Sequence, residues 1–255
     1  MPIDLGLAAA GFLVGFLVGV TGMGGGAVMT PFLISVVGTG PIVAVGTDLI
    51  YSAVTKIVGA WLHTRQRTVD LALVRRLAIG SVPAGLAAVA AVHLLPMIGV
   101  DANQAVKRAL GVVLVVVAVV MLWRMFATRE RAMPERWRGA LTGRGTIAAG
   151  AIVGALVGFT SVGSGALLVP FLIYVYPLSP AKVVGTDVFH AAILVTVTGV
   201  AHAQTGGVDW ALAGTLLLGS IPGVSLGTWM APRAPVRILR AGLASLLLIT
   251  GLSLM

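Results

Sequence analysis

The chain is written twice. Gly15 to Ala27 (GFLVGVTGMGGGA), then Pro31-Phe32-Leu33-Ile34 and Val45-Gly46-Thr47-Asp48, returns as Gly154 to Ala166 (GALVGFTSVGSGA), Pro170-Phe171-Leu172-Ile173 and Val184-Gly185-Thr186-Asp187. The offset stays at 139 residues from the Gly15/Gly154 pair to Pro83/Pro222, and 29 of those 69 positions are identical. Chance would match roughly one in ten in so biased a composition. Any fold must therefore house two copies of one unit. A duplicated half whose apolar sequence is interrupted by glycine is the mark of a secondary transporter.

The solvent of those halves follows from composition. With 58% hydrophobic and 10% charged residues and a mean hydropathy of +1.05, the chain cannot cover a core with a water-compatible surface, and it is read as an integral membrane protein. The net charge of +9 does not indicate nucleic acid, because most cations sit in a few short loops and at segment ends. That pattern is positive-inside topology. The absence of cysteine excludes disulfides, thiolate metal sites and cysteine nucleophiles. The first apolar stretch lacks a preceding Lys or Arg and a small-residue cleavage site, so it is taken as a span and not as a removed signal peptide.

Ten apolar segments are expected: 5–20, 27–37, 42–62, 71–95, 106–126, 147–159, 166–176, 183–201, 211–230 and 238–254. The second and seventh are too short for a hydrocarbon core of about 30 Å, which takes around 20 helical residues to cross. Segments one and two, and six and seven, are therefore read as broken-helix hairpins or strongly tilted spans joined at the glycine clusters. The fold class is all-α and polytopic, with two inverted repeats of five segments, 1–126 and 145–255. An Arg-rich linker, 127–144, separates them. Placing that linker in the cytoplasm puts Arg65, Arg67, Arg75, Arg76, Arg233, Arg237 and Arg240 on the same side, while the matching loops of the other copy carry no Lys or Arg. Lys107 and Arg108 are the exceptions. An odd number of segments inverts the second copy, and both termini then lie outside.

Glycine-rich, non-helical backbone at membrane depth survives only where it is buried in protein or lines a wet cavity. The clusters Gly22, Gly24, Gly25, Gly26 and Gly163, Gly165 are thus candidate sites, each followed by a short helix whose first amides are unpaired and whose dipole end is positive. An anion between two such helix starts would meet backbone donors, with Thr21, Thr160, Ser161 and Ser164 adding hydroxyls. Isolated glycines such as Gly11, Gly111 and Gly242 read as close helix packing. The spacing of Gly22, Gly24 and Gly26 superficially matches a dinucleotide loop, but no strand precedes it.

The repeated Gly-Thr-Asp motifs place Thr47, Asp48, Thr186 and Asp187 inside apolar spans. There a carboxylate needs a partner or water. Proton coupling, cation binding and a structural role, bracing the neighbouring hairpin through its backbone amides, all remain open for these residues. Lys56 aligns with Val195, and Tyr51 with His190. Lys56 either neutralises an anionic substrate or snorkels to the interface. His190, three residues after Asp187, either relays protons or donates to an anion, or is a packed histidine. His63 and His202, an aligned pair at segment ends, read as interfacial anchors. Four scattered histidines and no cysteines argue against a dedicated transition-metal site, and no cofactor is expected.

The duplicated glycine hairpin, Pro-Phe-Leu turn and Gly-Thr-Asp resemble the TauE/SafE family of membrane permeases, the sulfite exporters, over essentially the whole chain. The resemblance rests on Gly22, Gly24, Gly26, Thr47, Asp48, Gly163, Gly165, Thr186 and Asp187. It implies export or permeation of sulfite, sulfonates or related small anions across the bacterial inner membrane. Ser161 and Ser164 replace Gly22 and Gly25 in the second copy, so the half-sites differ in hydroxyl donors. Partners are then a small anionic substrate and the lipid bilayer, without nucleic acid, and the sequence admits a homodimer. Two other readings stay open: a transporter of a different small ion, and a membrane-embedded enzyme using Asp48 and Asp187.

Overall fold

A computed structural model describes residues 5–21, 25–126, 141–230 and 236–255. In chain order the first half contributes α1 (Leu5–Thr21), α2 (Gly26–Ser35), α3 (Pro41–Arg65), α4 (Leu71–Leu94) with a 3₁₀ turn at Leu95–Ile98, and α5 (Ala102–Phe126). The second half contributes α6 (Arg144–Thr160), α7 (Ser164–Val175), α8 (Pro180–Gln204), α9 (Trp210–Met230) and α10 (Val236–Leu254). Five of these helices, α3, α4, α5, α8 and α9, are long and apolar enough to cross a membrane, and the other five are shorter apolar helices. The protein is an all-α, multi-pass membrane protein. Ile57, Trp61, Leu218, Ile221 and Ile249 are exposed on its outer surface, where the hydrocarbon chains would lie.

Local signals account for the ends of these helices. Pro41 and Pro180 open α3 and α8 at the position where a missing amide costs nothing. The Asp70 and Asp209 carboxylates cap α4 and α9 by accepting from the amides of Leu73 and Leu212, at 3.0 and 2.9 Å. Helix α5 begins at Ala102, ahead of the expected 106, because Asp101 accepts from the amides of Asn103 and Gln104 and so carries the helix through a polar first turn. Helix α6 begins at Arg144, which the sequence places in the linker. Residues 127–140 of that linker lie outside the described residues.

Helix α1 packs on α9, α6 on α4, α3 on α8 and α5 on α10. Exchanging the two halves maps this set of pairs onto itself. Gly11, Gly15 and Gly19 of α1 lie against Leu216, Ser220 and Val224 of α9, and Gly150, Gly154 and Gly158 of α6 against Leu77, Ser81 and Gly85 of α4. Residue numbers rise together across both seams, so each of these pairs runs parallel. Helices α3 and α8 cross antiparallel, with Gly59 against Val188 and Gly199 against Leu49 and Ile50. Leu49, Leu77, Leu168, Leu172 and Leu194 are fully buried between α3, α4, α7 and α8.

The seams depend on backbone meeting backbone, which in lipid must replace the hydrophobic drive that joins helices in water. At Gly219 an added methyl group would collide with the Ala8 carbonyl and stand 2.9 Å from the Phe12 amide nitrogen, whereas at Gly214, on the same helix, nothing lies within 4 Å. Gly219→Ala should therefore lower stability by about 1–3 kcal/mol through overpacking, against the small gain in helix propensity that alanine brings. Gly214→Ala should be neutral or slightly stabilising. Thermal unfolding of the two purified variants in detergent checks the contrast.

Candidate functional site

The two glycine-rich turns meet at the middle of α3. Gly22 and Gly24 lie outside the described residues, while Gly25 packs on Tyr51 and Ser52 and Gly26 opens α2. In the second half α6 ends at Thr160, Ser161 is left-handed at φ 62°, and Gly163 reaches φ 127° before Ser164 opens α7. A side chain is strained at that Gly163 conformation, so glycine belongs there. A methyl group on Gly26 would strike the Ser161 carbonyl and stand 3.0 Å from Asp48 Oδ2. The tips thus touch each other and are held between Asp48 and Lys56, near the centre of the 25-residue helix α3.

Asp48 is the joint between them. Fully buried, it accepts at Oδ2 from the Thr30 hydroxyl of α2 and the Ser161 hydroxyl after α6, both at 2.6 Å, and at Oδ1 from Ser52 at 3.4 Å. The two short distances are those of hydroxyls donating to a carboxylate. The donors are side-chain hydroxyls and not the backbone amides considered from sequence. Thr30 and Ser52 were missed there, although both lie in a segment already singled out.

Lys56 lies two turns further along α3. Its Nζ donates to Ser164 Oγ at 3.2 Å, at the first residue of α7. Around this contact is a cleft of about 350 Å³, its open side included, lined by Gly26 and Ala27 of α2, Lys56, Ser161, Gly163, Ser164, Gly165 and Ala166, and by Val117 and Met121 of α5. The starts of two helices therefore face one cavity. Because Ser164 accepts from Lys56, its own hydroxyl hydrogen is left to donate. The Ser161 hydroxyl hydrogen is taken by Asp48, so Ser161 offers the cleft only its backbone.

The remaining sequence candidates fall outside this cleft. Thr21 and Thr160 donate to the carbonyls of Leu17 and Leu156, one turn back on their own helices, at 2.6 and 2.7 Å. The hydroxyls of Thr47 and Thr186 accept from the amides of Asp209 and Asp70, at 3.0 and 3.1 Å. Gly46 and Gly185 touch the carbonyls of Gly207 and Thr68 in the same two loops. Each Gly-Thr pair thus grips the turn before the fourth helix of the other half. Asp70 and Asp209 were legible as an aligned pair of helix caps and were not picked out. His190 is fully buried with Nε2 2.8 Å from Ser81 Oγ, mirroring the contact of its counterpart Tyr51 with Ser220. His202 is no interfacial anchor: it is buried, its Nε2 is 3.0 Å from the Gly158 carbonyl, and its ring stands edge-on to His93. His63 is half-buried beside the Thr68 hydroxyl at 2.9 Å. Asp187 is buried, and among the described residues its Oδ1 has no hydrogen-bond partner. Since Asp48 lies beside the Gly199 contact and Asp187 beside the Gly59 contact, the two residues stand at levels roughly 16 Å apart along α3 at 1.5 Å per residue. They form no dyad.

The family model described as "Sulfite exporter TauE/SafE" matches residues 7–254. The chain belongs to the TauE/SafE family. "Probable membrane transporter protein YjnA" of Bacillus subtilis (strain 168) is 44% identical over 251 residues, 96% of either chain. "Probable membrane transporter protein" of Xylella fastidiosa (strain 9a5c) is 31% identical over 231 residues, 88% of this chain and 83% of that one. No solved structure matches the chain. In this TauE/SafE protein, Asp48, Gly26 and Gly163, three of the residues quoted for the family from sequence, lie at the meeting point of the tips.

Two opposed terms meet at Ser161. Its left-handed backbone costs about 1–2 kcal/mol, while its hydroxyl bond to a buried carboxylate contributes about 1.5–3 kcal/mol. Ser161→Gly should relieve the first and lose the second, and Ser161→Ala should lose the second alone. Unfolding midpoints should therefore fall in the order wild type, Ser161→Gly, Ser161→Ala.

Proposed function

We propose that this protein is a secondary transporter that moves compact sulfur oxyanions, sulfite or small organosulfonates, out across the bacterial inner membrane by alternating access. The observation that carries the reading is the cleft where the starts of α2 and α7 and the ammonium of Lys56 converge. The first amides of a helix have no intrahelical partner and sit at the positive end of its dipole, so two starts and one lysine suit a small anion with several acceptor oxygens. The Ser164 hydroxyl adds an oriented donor. Lys56 reaches inward to α7, which supports a substrate role over snorkelling.

The family description and the relatives' names support a membrane transporter. Alternating access is supported by the arrangement of the halves. Parallel seams α1–α9 and α4–α6, with an antiparallel crossing of α3 and α8, are what a two-fold axis perpendicular to the spans would generate. Two inverted repeats could then rock about the fixed site. The loop charges favour a cytoplasmic linker and external termini.

Proteoliposomes loaded with sulfite should exchange it for external sulfite, sulfonate, thiosulfate or sulfate. Lys56→Met should reduce this exchange by about tenfold or more, the loss of one charge-assisted contact, while Lys56→Arg should keep part of it. Movement of a cation with no oxyanion exchange would sink the proposal.

A further inference from the structure

The two copies of the Gly-Thr-Asp motif are alike in sequence and unlike in surroundings. Asp48 takes three hydroxyl donors, Thr30, Ser52 and Ser161. At the offset of 139, the residues that would serve Asp187 are Val169, Ala191 and Gly22, none of which has a hydroxyl. Correspondingly, among the described residues Asp187 Oδ1 has no hydrogen-bond partner although buried, and neither has Nδ1 of His190, one turn further along α8. A buried carboxylate left short of donors is costly unless something charged or a proton answers it.

That answer comes from α3. Lys56 stands one turn before Gly59, whose packing on Val188 brings α3 against α8 beside Asp187, and its charge acts on Asp187 and on Asp48. Helix α4 turns Ser81 towards His190 and the Asp70 amide towards Thr186. Among the described residues of α6 and α7, the ionisable side chains are Arg144, at the first residue of α6, and Tyr174. His190 is the neighbour on α8 itself. Among the described residues, Asp187 thus shares the one cation Lys56, which lines the cleft.

We infer that Asp187 is the proton-carrying residue of the transport cycle, loading a proton when a substrate anion takes Lys56 from it. The inference rests on the anion site proposed above. In the empty protein the Lys56 ammonium compensates the Asp187 carboxylate. When an oxyanion enters, the ammonium turns to it, and a proton from water binds Asp187 Oδ1. Release of the anion returns Lys56 to Asp187 and expels the proton. No bond other than O–H is made or broken, and anion and proton travel together. Asp48, already satisfied by hydroxyls, stays a brace.

The test is proton uptake on anion binding. Sulfate, thiosulfate and methanesulfonate serve as probes, because their charge does not change between mildly acidic and mildly alkaline solution. Calorimetry of the purified protein in buffers of different ionisation heat should show about one proton taken up per anion bound, with affinity falling as pH rises. Asp187→Asn should bind with no proton uptake and with no pH dependence. Wild-type binding without proton uptake, binding that requires sodium in its place, or undiminished uptake in Asp187→Asn would each overturn the inference while leaving the anion site standing. Should Asp187→Asn fail to fold, the wild-type proton count decides alone. Absence of binding by all three probes and by sulfite would bring down both the anion site and the proton carrier.

Discussion

Hydrocarbon offers no partner to a free amide, so a helix that stops inside a membrane must be met by protein or by water. Four helix ends stop in the middle of this molecule: those of α1 and α6, and the starts of α2 and α7. One carboxylate ties two of them together. Asp48, on the continuous helix α3, accepts hydroxyls from α2 and from the turn after α6, and Gly26 lets the two turns come close enough for both to reach it. Remove that acceptor and Thr30 and Ser161 are left as buried donors between two broken helices. The cleft beside them is walled by Val117 and Met121 of α5 on one side and by Lys56 of α3 on the other.

The frame around this joint is built without much hydrophobic drive. Glycines at every fourth position bring α1 onto α9 and α6 onto α4 until backbone rests on backbone, an arrangement that gains dispersion contacts where lipid and leucine are equally apolar. The first helix of each half is thereby attached to the fourth helix of the other half. The Thr47 and Thr186 hydroxyls tighten the same linkage at the loops before α9 and α4. Neither half has its own core, and the duplication is a pair of interlocked units and not two beads.

The sequence made the ten helices of the described residues legible because hydropathy and length leave few choices in a membrane, and the start of α5 moved where the Asp101 cap extended the helix into polar residues. The meeting of the glycine turns was anticipated from their repetition and from the shortness of the segments that follow. The hydroxyl donors were not. A threonine in an apolar helix has the same appearance whether it bonds back to its own carbonyl, as Thr196 does to Ala192, or crosses to a carboxylate, as Thr30 does. His202 shows the same limit. Its place at a segment end suggested the interface, yet the tertiary packing of α6 puts a carbonyl against it in the core.

Symmetry explains the frame, and its breakage explains the chemistry. Positions that hold the halves together are identical in both copies: Gly80 and Gly219, Ser81 and Ser220, Gly46 and Gly185, Thr47 and Thr186, Asp70 and Asp209. Positions at the joint differ: Lys56 against Val195, Ser161 against Gly22, Ser164 against Gly25, Thr30 against Val169. A strictly symmetric site would place two lysines near one axis, where like charges in a medium of low dielectric repel strongly. One lysine avoids that repulsion, and of the two aspartates only Asp48 is met by three hydroxyls. Two identical half-sites would surround their aspartates alike, whereas this pair surrounds Asp48 with hydroxyls and Asp187 with none from the matching positions.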